Sequence, residues 1–106
     1  MGYVYLIYDE NNNVYKIGVT RKSNETRMKK MQTGNPTQLR VLLMYECEYP
    51  FRLETMLHNI YKNKNVLNEW FELTDEEVIN FKDTCDKVNS QIYALKNNPF
   101  FSKNLR

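Results

Sequence analysis

A chain of 106 residues, 42% of them hydrophobic, suits one small globular domain and leaves no case for wholesale disorder. Its net charge of +2 marks no class by itself; no apolar run reaches membrane-spanning length and no signal-peptide pattern opens the chain, so neither a membrane protein nor a secreted one is expected. Cys47 and Cys85 stand singly with no C-x-x-C spacing, which excludes a zinc motif and fits reduced, buried thiols.

The first predicted element is a hairpin. Residues 3–8 and 14–20 are rich in Val, Ile, Tyr and Leu and flank the polar run 9–13, Asp-Glu-Asn-Asn-Asn. Strand side chains alternate faces, and a slip of one residue exchanges the faces. The register that buries best puts Val4, Leu6, Ile17 and Val19 on a common core face. Tyr5, Lys16, Gly18 and Thr20 then share the opposite face. On pattern alone, Tyr5 equally fits a packed aromatic and Lys16 a solubilising edge-strand charge.

A helix follows over about 23–33. Ser23 or Asn24 can cap it, Glu25 sits in its first turn, Gly34 suits its C-terminal cap and Pro36 stops it. Residues 39–47 read as a third strand. Pro50 opens a second helix, on which Leu53, Met56, Leu57 and Ile60 form an apolar stripe. Glu54 and His58 are four apart and so share one face of it. Residues 69–73 read as a short strand or extended segment. Thr74-Asp75-Glu76-Glu77 is a capping box at the start of a last helix. Along that helix Val78, Phe81, Cys85, Val88, Ile92 and Leu95 are spaced 3, 4, 3, 4, 3, which makes a narrow heptad seam. Packing on its own domain and self-association both use such a seam.

Charge is distributed unevenly. Between Lys16 and Arg40 there are seven basic residues and one acid, and beyond Tyr61 the two signs balance. A local basic patch suits a polyanionic partner, and equally a solvated helix face.

These landmarks resemble the GIY-YIG endonuclease superfamily, in its phage- and virus-rich branch whose second motif reads K-I-G. The first motif is Val4-Tyr5, with Tyr3 where the family usually has glycine, and the second is Lys16-Ile17-Gly18. Arg27, Thr33-Gly34-Asn35-Pro36, Glu54 through His58 and Glu69-Trp70-Phe71 follow in family order. The resemblance covers roughly residues 3–73, and one such motif would be weak where five in order are fairly specific.

The resemblance implies an α+β fold, a small three-stranded antiparallel sheet flanked by helices. It implies a nuclease-like core over 1–73; outside it, the seam spacing marks an added amphipathic helix over 74–97 that packs on the core or mediates a homodimer, and a tail over 98–106 follows. The resemblance also sets the chemistry. It implies hydrolysis of DNA phosphodiester bonds with one divalent ion, Mg²⁺ or Mn²⁺, in the cytoplasm or nucleus of a host cell. Tyr5 would be the general base. A free phenol, with a pKa of about 10, is a poor base at neutral pH, and a nearby ammonium such as Lys16 favours its anion. Gly18 would let a phosphate or a helix approach closely. Arg27 would hold the scissile phosphate, with Arg21 competing for the role. Glu54 would ligate the metal, and His58 would orient water, bind phosphate or serve structure. Arg21, Lys22, Lys29 and Lys30 would track the DNA backbone. Asn65 and Asn68 are the candidates for a late asparagine in the site. Trp70 and Phe71 suit the core better than base stacking. A module of the same fold that binds nucleic acid or protein without turnover is the alternative.

Overall fold

The computed structural model describes residues 1–21 and 39–96. The helix expected over 23–33, the 33–36 segment, the 98–106 tail and the side chains of Lys22, Arg27, Lys29 and Lys30 lie outside the described residues.

Alternating apolar residues produce the expected hairpin, β1 (Gly2–Asp9) and β2 (Val14–Thr20). Asp9 builds its turn: one carboxylate oxygen accepts the Asn11 backbone N–H at 3.0 Å, the other accepts the Asn12 side-chain amide at 2.9 Å. Asn13 closes the turn at φ 54°, a left-handed conformation that asparagine tolerates. The strands pair antiparallel with Val4 opposite Val19, Tyr5 opposite Gly18, Leu6 opposite Ile17 and Ile7 opposite Lys16. Directly opposite residues share a face, so the parity expected for Tyr5, Lys16 and Gly18 is the parity found. Tyr15 falls on the other face, buried, with its ring 4.8 Å from that of Tyr8.

β3 (Leu39–Cys47) pairs antiparallel with the far side of β1. Leu6 faces Leu43 while Ile7 faces Val41, so Leu42 is an extra, bulged residue and is left 45% exposed. The sheet has five strands among the described residues, where the sequence led us to expect three. β5 (Trp70–Phe71) pairs with β2, β4 (Asn65–Leu67) pairs with β5, and the order is β3-β1-β2-β5-β4, antiparallel throughout. Strands of two and three residues carry no alternation to read, but the backbone groups on the open side of β2 need partners. The β4–β5 turn supplies them. Asn68 adopts φ 51°, and the Asn65 side-chain amide donates to the carbonyls of Asn68 at 2.8 Å and Trp70 at 3.1 Å. The two asparagines therefore shape a turn.

α1 (Pro50–Ile60) begins on proline, whose missing N–H is not needed in a first turn. It lays Leu53 and Leu57 against Val4, Leu6 and Ile17. The C-terminal region is two helices where one was expected. Thr74 and Glu77 form the expected capping box, with reciprocal bonds of 3.2 and 2.8 Å, and start α2 (Asp75–Ile79). The chain breaks at Asn80, and α3 (Phe81–Leu95) follows. The heptad seam faces inward: Phe81, Cys85, Val88 and Ile92 are buried in the chain's own core. Hydrogen bonds fasten α3, among them from the Tyr45 hydroxyl to Asp86 at 2.6 Å and from the Tyr93 hydroxyl to Glu48 at 2.8 Å. Burial pushes the Cys47 thiol up to about 11 and the Cys85 thiol up to about 12, so both are inert, buried thiols.

Candidate active site

The K-I-G strand, the E-x-x-x-H helix and the E-W-F strand meet at one edge of the domain. β2 supplies Lys16, α1 supplies Glu54 and His58 one turn apart, and the residue before β5 supplies Glu69. Ligand atoms of Glu54, His58 and Glu69 all lie within 4.8 Å of one another, and each residue is half-buried. The Lys16 ammonium stands 3.9 Å from a Glu69 carboxylate oxygen and 5.9 Å from the centre of the Trp70 ring.

Each position has a local cause. Lys16 faces Trp70 in the β2–β5 register, and the Ile17 N–H donates to the Glu69 carbonyl at 3.1 Å, which ties the backbone of Glu69 to β2. His58 Nε2 lies 2.9 Å from the Ile17 carbonyl. A carbonyl can only accept, so Nε2 carries a proton and Nδ1 is the ring nitrogen left outside that bond. Phe71 packs edge-on against the imidazole at 5.0 Å. The half-buried histidine thus has both a structural anchor and a free chemical function.

Burial pushes the Glu54 carboxyl up to about 7; the charge of Glu69 and a hydrogen bond between the two carboxyls add to the effect, and Lys16 opposes it. Two carboxylates this close cannot both ionise cheaply without a cation between them. The donor set of two carboxylates and an imidazole fits a divalent metal. Mg²⁺ and Mn²⁺ accept carboxylate oxygen, and an imidazole nitrogen suits Mn²⁺ and later first-row ions.

Tyr5 stands on the face of Lys16, but Gly18 plays a different part from the one expected. A Cβ on Gly18 would meet the Tyr5 hydroxyl oxygen at 2.3 Å. The space that glycine leaves is filled by the Tyr5 ring, which is 2% exposed, and not by a phosphate or a helix. Arg21, beyond the end of β2, rests its guanidinium 4.9 Å from the centre of the Phe51 ring at the start of α1. Arg40 pairs with Glu10. Phe71 is buried in the core as expected, while Trp70 is half-exposed beneath Lys16.

Glu69 is the site residue that sequence reasoning missed. Its signal was present in Glu69-Trp70-Phe71, quoted above as a landmark with no role for its acid. Giving it a role required knowing that this segment pairs with the strand of Lys16.

Residues 2–86 match the T5orf172 domain. The chain belongs to the T5orf172 domain family. The T5orf172 match takes in every residue of the cluster and continues past Leu73 through α2 into α3. No curated protein and no solved structure matches the chain.

Proposed function

We propose that this T5orf172 domain is a metal-dependent endonuclease that hydrolyses DNA phosphodiester bonds in the manner of the GIY-YIG superfamily. The T5orf172 domain is associated with phage-type nucleases of GIY-YIG-like fold, which is consistent with the reading. The observation that carries it is the convergence of Lys16, Glu54, His58 and Glu69 from three separate segments. Packing alone has no need to gather an ammonium, two carboxylates and an imidazole at one edge.

In this reading Glu54 holds the divalent ion, Mg²⁺ or Mn²⁺, which when bound offsets negative charge on the phosphate and the leaving oxygen. Tyr5 takes the proton of the attacking water, and Lys16 on the same face offsets the charge that develops on the phenol oxygen. Arg27 holds the scissile phosphate through its fork of donors, and Arg21 is the described arginine that competes for the role. Lys22, Lys29 and Lys30 add backbone contacts, which supply affinity without sequence information.

Supercoiled plasmid tests this. Nicked circles are expected with Mg²⁺ or Mn²⁺ and none with chelator. Glu54→Ala should lower the rate by about 100-fold or more while the far-UV spectrum is unchanged. Full nicking in chelator, or by the folded variant, rejects the reading.

One observation favours a second function, a nucleic-acid-binding module without turnover. Tyr5 is packed on Gly18 and almost fully buried, so water must reach a phenol held in a packed position. Retarded migration of DNA with no nicking under either metal would select that function.

A further inference from the structure

We propose that His58 and Glu69 join Glu54 as direct ligands of one first-row transition ion, which the site prefers to Mg²⁺, and that Lys16 releases Glu69 when the ion binds. The inference rests on the nuclease reading for the importance of the site, and on geometry for its composition.

The spread of the donors comes first. Ligand atoms about 2.1 Å from a common ion lie roughly 3–4.2 Å apart, depending on the angle between them. The three groups here offer atoms within 4.8 Å, so side-chain shifts on the order of an ångström close the set. No backbone has to move. Glu54 and His58 are one turn apart on the same helix, and the backbone of Glu69 is tied to β2.

The imidazole is the second argument. A histidine that served phosphate would present an N–H. His58 spends its Nε2 proton on the Ile17 carbonyl, which leaves Nδ1 as the nitrogen that can turn a lone pair to an ion. Fixing one ring nitrogen on a backbone carbonyl is how metal-binding histidines are generally held, because it sets both tautomer and ring orientation. Phe71 against the ring restricts it further.

Third, the counter-ion is loose. At 3.9 Å the Lys16–Glu69 contact is longer than a charge-assisted hydrogen bond of about 2.8 Å. A divalent ion attracts the same carboxylate more strongly, and the ammonium has the Trp70 face to lie on when it is displaced. The donor set then decides the metal. Mg²⁺ prefers oxygen throughout and keeps several waters, whereas one nitrogen with two carboxylates favours first-row transition ions.

Binding of Mn²⁺ to the full chain, followed by the electron paramagnetic resonance signal of the free aqua ion, tests the proposal. One ion per chain is expected, retained against a roughly hundredfold excess of Mg²⁺. Glu69→Gln and His58→Gln should each weaken it by about 10–100-fold. Lys16→Met should bind Mn²⁺ more tightly than the parent, a change that loss of folding cannot mimic. His58 is the chain's one histidine, so its imidazole nitrogen resonances are unambiguous. Added Zn²⁺ should shift Nδ1 and leave Nε2 protonated. Parental Mn²⁺ affinity in Glu69→Gln, an unmoved Nδ1 resonance, or weaker binding in Lys16→Met overturns the proposal. A plasmid left uncut by a Mn²⁺ centre that needs Glu69 supports this centre and rejects the nuclease reading. Nicking that needs Glu54 but is indifferent to Glu69→Gln rejects the centre and keeps the nuclease.

Discussion

A Cβ on Gly18 would lie 2.3 Å from both Cζ and the hydroxyl oxygen of Tyr5, so the two residues form one steric unit. The backbone of Gly18 is ordinary, with no positive φ, and its value is space. Gly18→Ala should cost about 1–3 kcal/mol by overpacking, and much less in a Tyr5→Ala background. Urea melts of the four proteins in that cycle give the coupling; an equal cost in both backgrounds would dissolve the unit. Glu54 supports a second prediction at this scale. In the folded chain its carboxyl is raised from 4.5 to about 7, chiefly by burial and next by Glu69. Below 4.5 both folded and unfolded chains hold the proton. Between 4.5 and about 7 the folded chain keeps a proton that the unfolded chain has lost, so stability from this group falls as pH rises through that window. In chelator the melting temperature should therefore drop from about pH 5 to about pH 7.5, and Glu54→Gln should flatten the slope. Mn²⁺ should raise the melting temperature more at the higher pH, because its ligands must be deprotonated. A parent curve as flat as that of Glu54→Gln counts against the half-buried pair. The faces of Tyr5 and Lys16 were legible from alternation alone. Glu69 was not, because its place depends on strand pairing that its neighbours do not announce.

Among the elements, those with a strong local signal were legible: the hairpin, the third strand, the proline-started helix and the Thr74–Glu77 box. The elements that escaped were short. β4 and β5 have three and two residues, and what defines them is hydrogen bonding to β2 and to each other. The break at Asn80 also left no mark, since the seam spacing runs through it from Val78 to Phe81. The β4–β5 turn matters because it delivers Glu69. Asn68 holds φ 51°, a conformation that asparagine and glycine tolerate and a β-branched residue does not. Asn68→Gly should melt within about 0.5 kcal/mol of the parent, and Asn68→Val should lose about 1–3 kcal/mol. If the turn positions the carboxylate, Asn68→Val should also bind Mn²⁺ more weakly than Asn68→Gly at a temperature where both are folded. Equal affinities would mean that Glu69 finds its place without the turn.

For the whole molecule, the decisive fact is where α3 spends its apolar seam. A seam can be buried against its own domain or against a second chain, but the same side chains cannot do both. Val88 is 3% exposed, and Cys85 and Ile92 are fully buried, in a core shared with Leu53 and Leu57 of α1. Val88→Glu therefore puts an unpaired carboxylate into that core, which should cost about 3 kcal/mol or more. In a dimer held by this seam, the parent's melting temperature would rise with protein concentration, and the variant would become a folded monomer. In a domain that packs the seam on itself, the parent's melting temperature is independent of concentration, and the variant is destabilised at every concentration. We expect the second pattern, checked by thermal melts of both proteins over a roughly hundredfold range of concentration. A concentration-dependent parent together with a stable, monomeric Val88→Glu would mean that α3 leaves its own core to meet a partner.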